Sequence, residues 1–202
     1  MLQQTTVAAV IPRFNRFLDT FPDVSALAQA TEQDVLKSWE GLGYYNRARN
    51  LHRAAQILAA RNAIVSNDPD LWAELPGVGR YILGAVLSQA FDRRMPIVEA
   101  NTTRLLCRLF GQQGDTKSTA VKHWLWRTAE EILPRTRVGD FNQALMELGA
   151  LVCRPKSPLC SACPLQQDCG AYAMGKGGFS SDGPKTKASH ALYNGVYPET
   201  RR

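Results

Sequence analysis

Residues Leu75 to Leu87 read LPGVGRYILGAVL, a Pro-Gly-Val-Gly break followed at once by apolar residues at Ile82, Val86 and Leu87. The break cannot continue a helix, and the spacing after it builds one helical face, so the stretch is a tight loop opening a helix. The same periodicity lies upstream, where Val7, Val10, Ile11, Phe14, Phe17 and Leu18 share one side of a helix ending near Thr20, with Pro12 placed to kink it. Thr31 and Asp34 have the spacing of a capping box for a short helix that Gly41 and Gly43 end, and a longer helix runs from about Tyr44 to Arg61. A short turn at Leu71-Trp72 follows Asn67-Asp68-Pro69. Beyond the central stretch, Asn101 is expected to cap a helix through Phe110, and further helices are expected over about 118–133 and 139–152. No stretch alternates as a strand would, so the predicted fold class is all-α. From about Gly175 the composition turns to Gly, Ser, Lys and Pro without periodicity, which predicts a flexible tail over 175–202.

With 202 residues and 45% apolar side chains, the chain suffices for one large domain or two small ones, and a fully disordered or collagen-like chain is excluded. Its longest apolar runs, VAAVI and IVEA, fall far short of the roughly 20 residues of a membrane span, and a basic-then-apolar leader pattern is missing. An intracellular, soluble chain with no membrane partner is expected. The net charge of +6 is unevenly spread: between Gly41 and Asn67 stand Arg47, Arg49, Arg53 and Arg61 and no acid. A cationic face of this kind suits a polyanion.

Cys153, Cys160, Cys163 and Cys169 follow a C-x6-C-x2-C-x5-C pattern within 17 residues. Such crowding calls for a shared ligand or two disulfides. Disulfides need an oxidising compartment for which the sequence gives no sign. Zinc modules usually pair two C-x2-C units, and only one is present. A 4Fe-4S cluster held by four thiolates fits better. Cys107, within LLCRLF, reads as a buried core thiol.

That spacing behind an all-α domain resembles the helix-hairpin-helix DNA glycosylases that carry a 4Fe-4S cluster. LPGVGRYILGAVL is similar to their hairpin, in which the glycines permit a tight turn whose backbone N–H groups, here at Gly77, Val78 and Gly79, meet a DNA phosphate; alone, GVG between helices also fits an ordinary turn. LQQT (Leu2 to Thr5), WEGLGYYNRARNLHRAA (Trp39 to Ala55) and ALMELGALVC (Ala144 to Cys153) resemble the adenine DNA glycosylases of the MutY type, over about Met1 to Cys169. The resemblance implies base excision repair: hydrolysis of the N-glycosidic bond of adenine mispaired with 8-oxoguanine or guanine in double-stranded DNA, after the adenosine is flipped out. It also implies a monomer located in the cytoplasm at the nucleoid. The expected organisation is a helical domain over 1–133 with the hairpin at about 75–90, part of an iron-sulfur domain over 134–174, and the tail.

Residue roles carry over position by position. Relatives of the endonuclease III type place a nucleophilic Lys directly after LPGVGR, where this chain has Tyr81; a phenol cannot form an imine, so lyase chemistry is disfavoured and Tyr81 matches a catalytic Tyr of some adenine glycosylases. A core aromatic is the other reading of Tyr81. Pro96-Ile97-Val98-Glu99-Ala100-Asn101 departs from the family's PI-x-D-G-N, and Glu99 matches the carboxylate that stabilises or attacks the oxocarbenium-like state; a helix-start acid is its plainer reading. Glu147 matches an adenine-pocket carboxylate, with a surface acid as the alternative. Gln4 matches a wedge into the base stack, and Thr5, Leu42 and Tyr44 match positions around the oxidised base, against core packing for Leu42 and Tyr44 and a solvated end for Gln3 and Gln4. Arg47, Arg49 and Arg53 are candidate phosphate contacts. The family's general-acid glutamate aligns two residues before Met1, so an amino-terminally shortened member is expected. A non-catalytic DNA-binding module of the same fold is the rival reading.

Overall fold

The computed structural model describes residues 1–2, 5–62 and 65–175. The sequence readings for Gln3, Gln4 and residues 176–202 therefore lie outside the described residues. Within them the regular structure is helical and no strand occurs. The chain divides into two compact units, Met1–Gly79 and a second beginning at Arg80. Residues 134–174, expected to carry the cysteine centre, belong to the second.

The first unit holds α1 (Val7–Thr20), α2 (Val24–Gln29), α3 (Glu32–Ser38), α4 (Asn46–Ala60) and α5 (Pro69–Ala73). Short polar side chains open three of them as their chemistry dictates: Asp23 accepts from the Ala26 amide, Thr31 from that of Asp34, and Asp68 from that of Asp70. α2 is a helix the sequence reading did not anticipate. Val10, Phe17, Phe21, Val35, Trp39 and Leu42 form the main core, with Phe17 edge-on to Phe21 at 4.9 Å and to Trp39 at 6.0 Å. Trp39, 2% exposed, is thus a packing residue. Of the six apolar residues that the periodicity places on one side of α1, only Val10 and Phe17 are buried: Val7, Ile11, Phe14 and Leu18, on the adjoining stripe, are 44–59% exposed.

The second unit holds α6 (Arg80–Phe91), α7 (Ala100–Leu109), α8 (Thr119–Glu131), α9 (Val138–Glu147) and α10 (Gly170–Ala173). Glycines let α6 and α9 approach closely. A Cβ on Gly139 would stand 2.6 Å from the Ser88 carbonyl, and one on Gly84 would collide with the Pro96 carbonyl that precedes Glu99. Across the same contact the buried Asn142 amide donates to Ser88 Oγ and to the Met95 carbonyl, both at 2.9 Å. Gly84→Ala is therefore expected to destabilise the fold by about 1–3 kcal/mol, the usual cost of overpacking against backbone, as read by urea denaturation.

α9 starts on Arg137, a residue with φ +56, and its first amides are bound by a distant acid: Asp92 accepts from the backbone N–H of Arg137 (2.9 Å), Val138 (2.5 Å) and Gly139 (3.2 Å). These amides, that of Gly139 foremost, hold the Asp92 carboxyl below its ordinary range. A depressed carboxylate stabilises the fold above its unfolded-state pKa and loses that contribution as the pH falls through its folded-state value. Asp92→Ala should accordingly melt below the wild type at neutral pH, with the gap closing through the acid carboxylate range.

Candidate active site and cysteine centre

In the first unit the loop before α6 is a tight turn, closed by the Val78 amide donating to the Leu75 carbonyl at 3.1 Å. Val78 packs on Ala54, Leu58 and Leu75. Gly77 has φ +79, and a Cβ there would lie 2.6 Å from Asn50 Nδ2, so only glycine fits comfortably. Gly79 is exposed with open space where its Cβ would be. These residues leave backbone, rather than side chains, presented to solvent.

The arginine-rich helix divides its labour. Arg47 is half-buried: it donates to the carbonyls of Met1 (2.8 Å) and Leu42 (3.0 Å) and to Thr5 Oγ1 (2.8 Å), and its guanidinium lies 5.4 Å from the Trp39 ring and 5.5 Å from that of Tyr44. Burial lowers its pKa. Its geometry is that of a strut holding the loop 41–45. Thr5 is tied into the same network through the Leu42 carbonyl at 3.1 Å. Leu42 is core, 4% exposed, whereas Tyr44 stands out at 61% on a backbone with φ +47. Arg49 pairs with Glu32 at 2.8 Å on a half-exposed surface.

In the second unit Tyr81, on α6, lies within electrostatic reach of Glu99. The Tyr81 hydroxyl donates to Met146 Sδ at 3.7 Å, and burial followed by the Glu99 charge raises its pKa, so the phenol stays protonated at neutral pH. Glu99, not Asn101, is the N-cap of α7: Glu99 Oε1 accepts from the Thr102 amide at 2.8 Å, and Thr102 Oγ1 accepts from the Glu99 amide at 2.9 Å. The reciprocal box fixes the carboxylate, with Oε2 left without a partner among the described residues. The expectation of a cap at Asn101 fails because its side chain instead accepts from Arg104 Nη2 at 2.9 Å. Glu147 is exposed and accepts from Gln143 Nε2 at 2.7 Å.

α9 runs into a π-helical turn, Leu148–Val152, closed by the Cys153 amide on the Leu148 carbonyl at 2.7 Å. Cys153, Cys160, Cys163 and Cys169 line one cavity together with Arg108 and apolar side chains such as Leu105 and Leu159. All are free thiols. Burial raises the pKa of Cys163, and the three other sulfurs push it the same way, while the Leu165 amide opposes them. Among the described residues no three His, Cys, Asp or Glu side chains stand close enough to share one metal ion. A cubane is larger than an ion and its ligands stand farther apart, so a cavity walled by four thiols and apolar groups suits a cluster better than a zinc ion. Cys107, by contrast, faces the Leu106, Val121 and Leu125 core, and burial pushes its thiol up to about 11.

Sequence reasoning missed Arg104 and Arg108, one turn apart on α7. Arg104 donates to the carbonyls of Gly149 (2.5 Å) and Cys153 (2.7 Å), and Arg108 to those of Arg154 (2.7 Å) and Pro155 (3.1 Å). Arginines at i and i+4 within the apolar run RLLCRLF were the available signal.

Residues 1–131 match the family of HhH-GPD superfamily base excision DNA repair proteins, and the chain belongs to that family. Among curated relatives it is 45% identical to the adenine DNA glycosylase of Mus musculus over 85% of this chain and 34% of that one. It is 42% identical to that of Buchnera aphidicola from Schizaphis graminum (85% and 50%) and 42% identical to that of Homo sapiens (85% and 32%). The chain thus spans about a third to a half of the length of these relatives. Among solved structures it is similar to a thermostable thymine-DNA glycosylase, with TM-score 0.76 and 27% identity over 86% of this chain and 80% of that one. A non-covalent endonuclease III–DNA complex follows, with TM-score 0.71 and 25% identity over 85% and 79%.

Proposed function

We propose that this chain is the base-excising portion of an adenine DNA glycosylase acting on double-stranded DNA, hydrolysing the N-glycosidic bond of adenine opposite 8-oxoguanine or guanine. The observation that carries this reading is the presence, within one unit, of a protonated Tyr81 phenol where a lyase would need a lysine and, within reach of its charge, the fixed Glu99 carboxylate. Glycosidic cleavage develops positive charge on the sugar, and a carboxylate with one oxygen anchored by Thr102 and the other unengaged is suited to stabilise it. Tyr81 on α6 and Met146 and Glu147 on α9 would be the groups available to the sugar and the flipped base. Gly77 and Gly79 offer backbone N–H groups to a phosphate, while Val78, whose own amide closes the turn on the Leu75 carbonyl, holds the loop in shape. Arg49 offers charge, and Tyr44 an exposed ring for the opposite base; Arg47, Thr5 and Leu42 support the Tyr44 loop from beneath.

Cys153, Cys160, Cys163 and Cys169 would hold a 4Fe-4S cluster, within residues 134–174 as part of an iron-sulfur domain. When bound, the cluster supplies cross-linking of the loop rather than chemistry on the sugar, since hydrolysis moves no electrons. Arg154 and Lys156, between the first two ligands, would then face the DNA backbone.

The test is single-turnover release of adenine from a duplex bearing adenine opposite 8-oxoguanine, by the 202-residue chain and by the longest natural product that contains it, alongside binding to the same duplex. Release of adenine supports the proposal. Salt-dependent duplex binding without release from either protein replaces it with the non-catalytic module.

A further inference from the structure

Arg108 sits 6% exposed on α7 beside the buried Leu105 and Leu106, and no ion pair among the described residues involves it. Burying a guanidinium without a counter-charge is costly, and such a group persists where something compensates it. Its hydrogen bonds all point one way. Nη1 reaches the Arg154 carbonyl (2.7 Å), the Cys153 carbonyl (3.4 Å) and Cys153 Sγ (3.4 Å), and Nη2 reaches the Pro155 carbonyl (3.1 Å). The backbone carbonyl of Arg108 accepts from Cys169 Sγ at 3.5 Å, so one residue touches the first and last cysteines of the motif. Its buried Nε has no partner among the described residues. The missing counter-charge is supplied if the four sulfurs are thiolates on a cluster of net negative charge.

We propose that Arg108 is the positioning residue of the cysteine centre: its buried guanidinium fixes the backbone of residues 153–155 and one ligand sulfur, and its charge stabilises the reduced state of an iron-sulfur group bound there. The inference rests on the cluster reading given above. A planar fork can serve a sulfur and successive carbonyls at once, whereas an ammonium is a point charge, so Arg108→Lys keeps the electrostatics and loses the clamp. Arg108→Met keeps much of the volume and loses both. N–H···S hydrogen bonds and nearby positive charge raise a cluster's reduction potential.

The experiment compares wild type, Arg108→Lys and Arg108→Met after anaerobic reconstitution with iron and sulfide, reading iron and sulfide content, reduction potential, and the rate of loss of cluster absorbance under ferricyanide. Circular dichroism of the apo-proteins checks that each variant folds. The expected result is a lower potential and about 10- to 100-fold faster cluster loss in Arg108→Met, the range typical of removing an outer hydrogen-bonding partner. Arg108→Lys should recover most of the potential but little of the retention. A loaded Arg108→Met with wild-type potential and retention overturns the assignment of Arg108 and leaves the cluster reading intact. Failure of the wild type itself to take up iron and sulfide overturns both.

Discussion

Glu99→Gln is expected to lower the single-turnover rate of adenine release by about 10²- to 10⁴-fold, the range for removing a group that acts on charge or protons in the transition state, with duplex affinity unchanged. The expectation is clean because of the cap. A glutamine keeps an Oε1 that still accepts from the Thr102 amide, so the start of α7 survives and only the negative charge is removed. Alanine would confuse the two effects, since loss of an N-cap alone costs about 0.5–2 kcal/mol. Glu99→Asp adds a second reading. Aspartate is a strong N-cap but stands one methylene back, and a 1 Å misplacement of a catalytic group costs on the order of 10²-fold. Rapid-quench measurement of abasic product from the three proteins separates the cases: wild-type turnover by Glu99→Gln leaves Glu99 as a cap and nothing more.

The cap at Glu99 shows where sequence reading reaches and where it stops. Helix periodicity is local, so the all-α class, the capping by Thr31 and the loop at Gly77 could be read directly. A cysteine spacing is local as well, and it pointed to one shared ligand before any geometry was known. Contacts between distant segments are not encoded in spacing. Nothing in the pattern around Asn101 tells that Arg104 will occupy its side chain and hand the cap to Glu99. Arg47 illustrates the same limit: its neighbours in sequence suggest an exposed cationic face, yet the Met1, Thr5 and Leu42 groups that engage it lie up to 46 positions away. The π-helical turn that brings Cys153 to Arg104 and Arg108 is likewise invisible to a 3.6-residue period, because it departs from that period by one residue.

Cys160→Ser should abolish cluster loading and weaken duplex binding together. Residues 153–169 contain little that could hold their shape unaided: the 3-10 turn Cys160–Ala162 is three residues long, Arg154, Pro155, Lys156 and Ser157 are exposed, and Leu159 is 43% exposed. A loop with so thin a core takes its order from its ligands, as small metal-bound modules do. A serine hydroxyl is a poor substitute for a thiolate, and three remaining ligands leave the loop open at the 3-10 turn. Arg154 and Lys156 would then cease to act as fixed phosphate contacts. Each such contact contributes about 0.9 to the slope of log K against log salt concentration, so losing both should flatten that slope by about 1.8. Iron analysis together with a salt titration of duplex binding decides the matter. A cluster-free Cys160→Ser protein that keeps the wild-type salt slope would separate the cluster from DNA binding, and would move the phosphate contacts to the glycine loop and the arginines of the first unit.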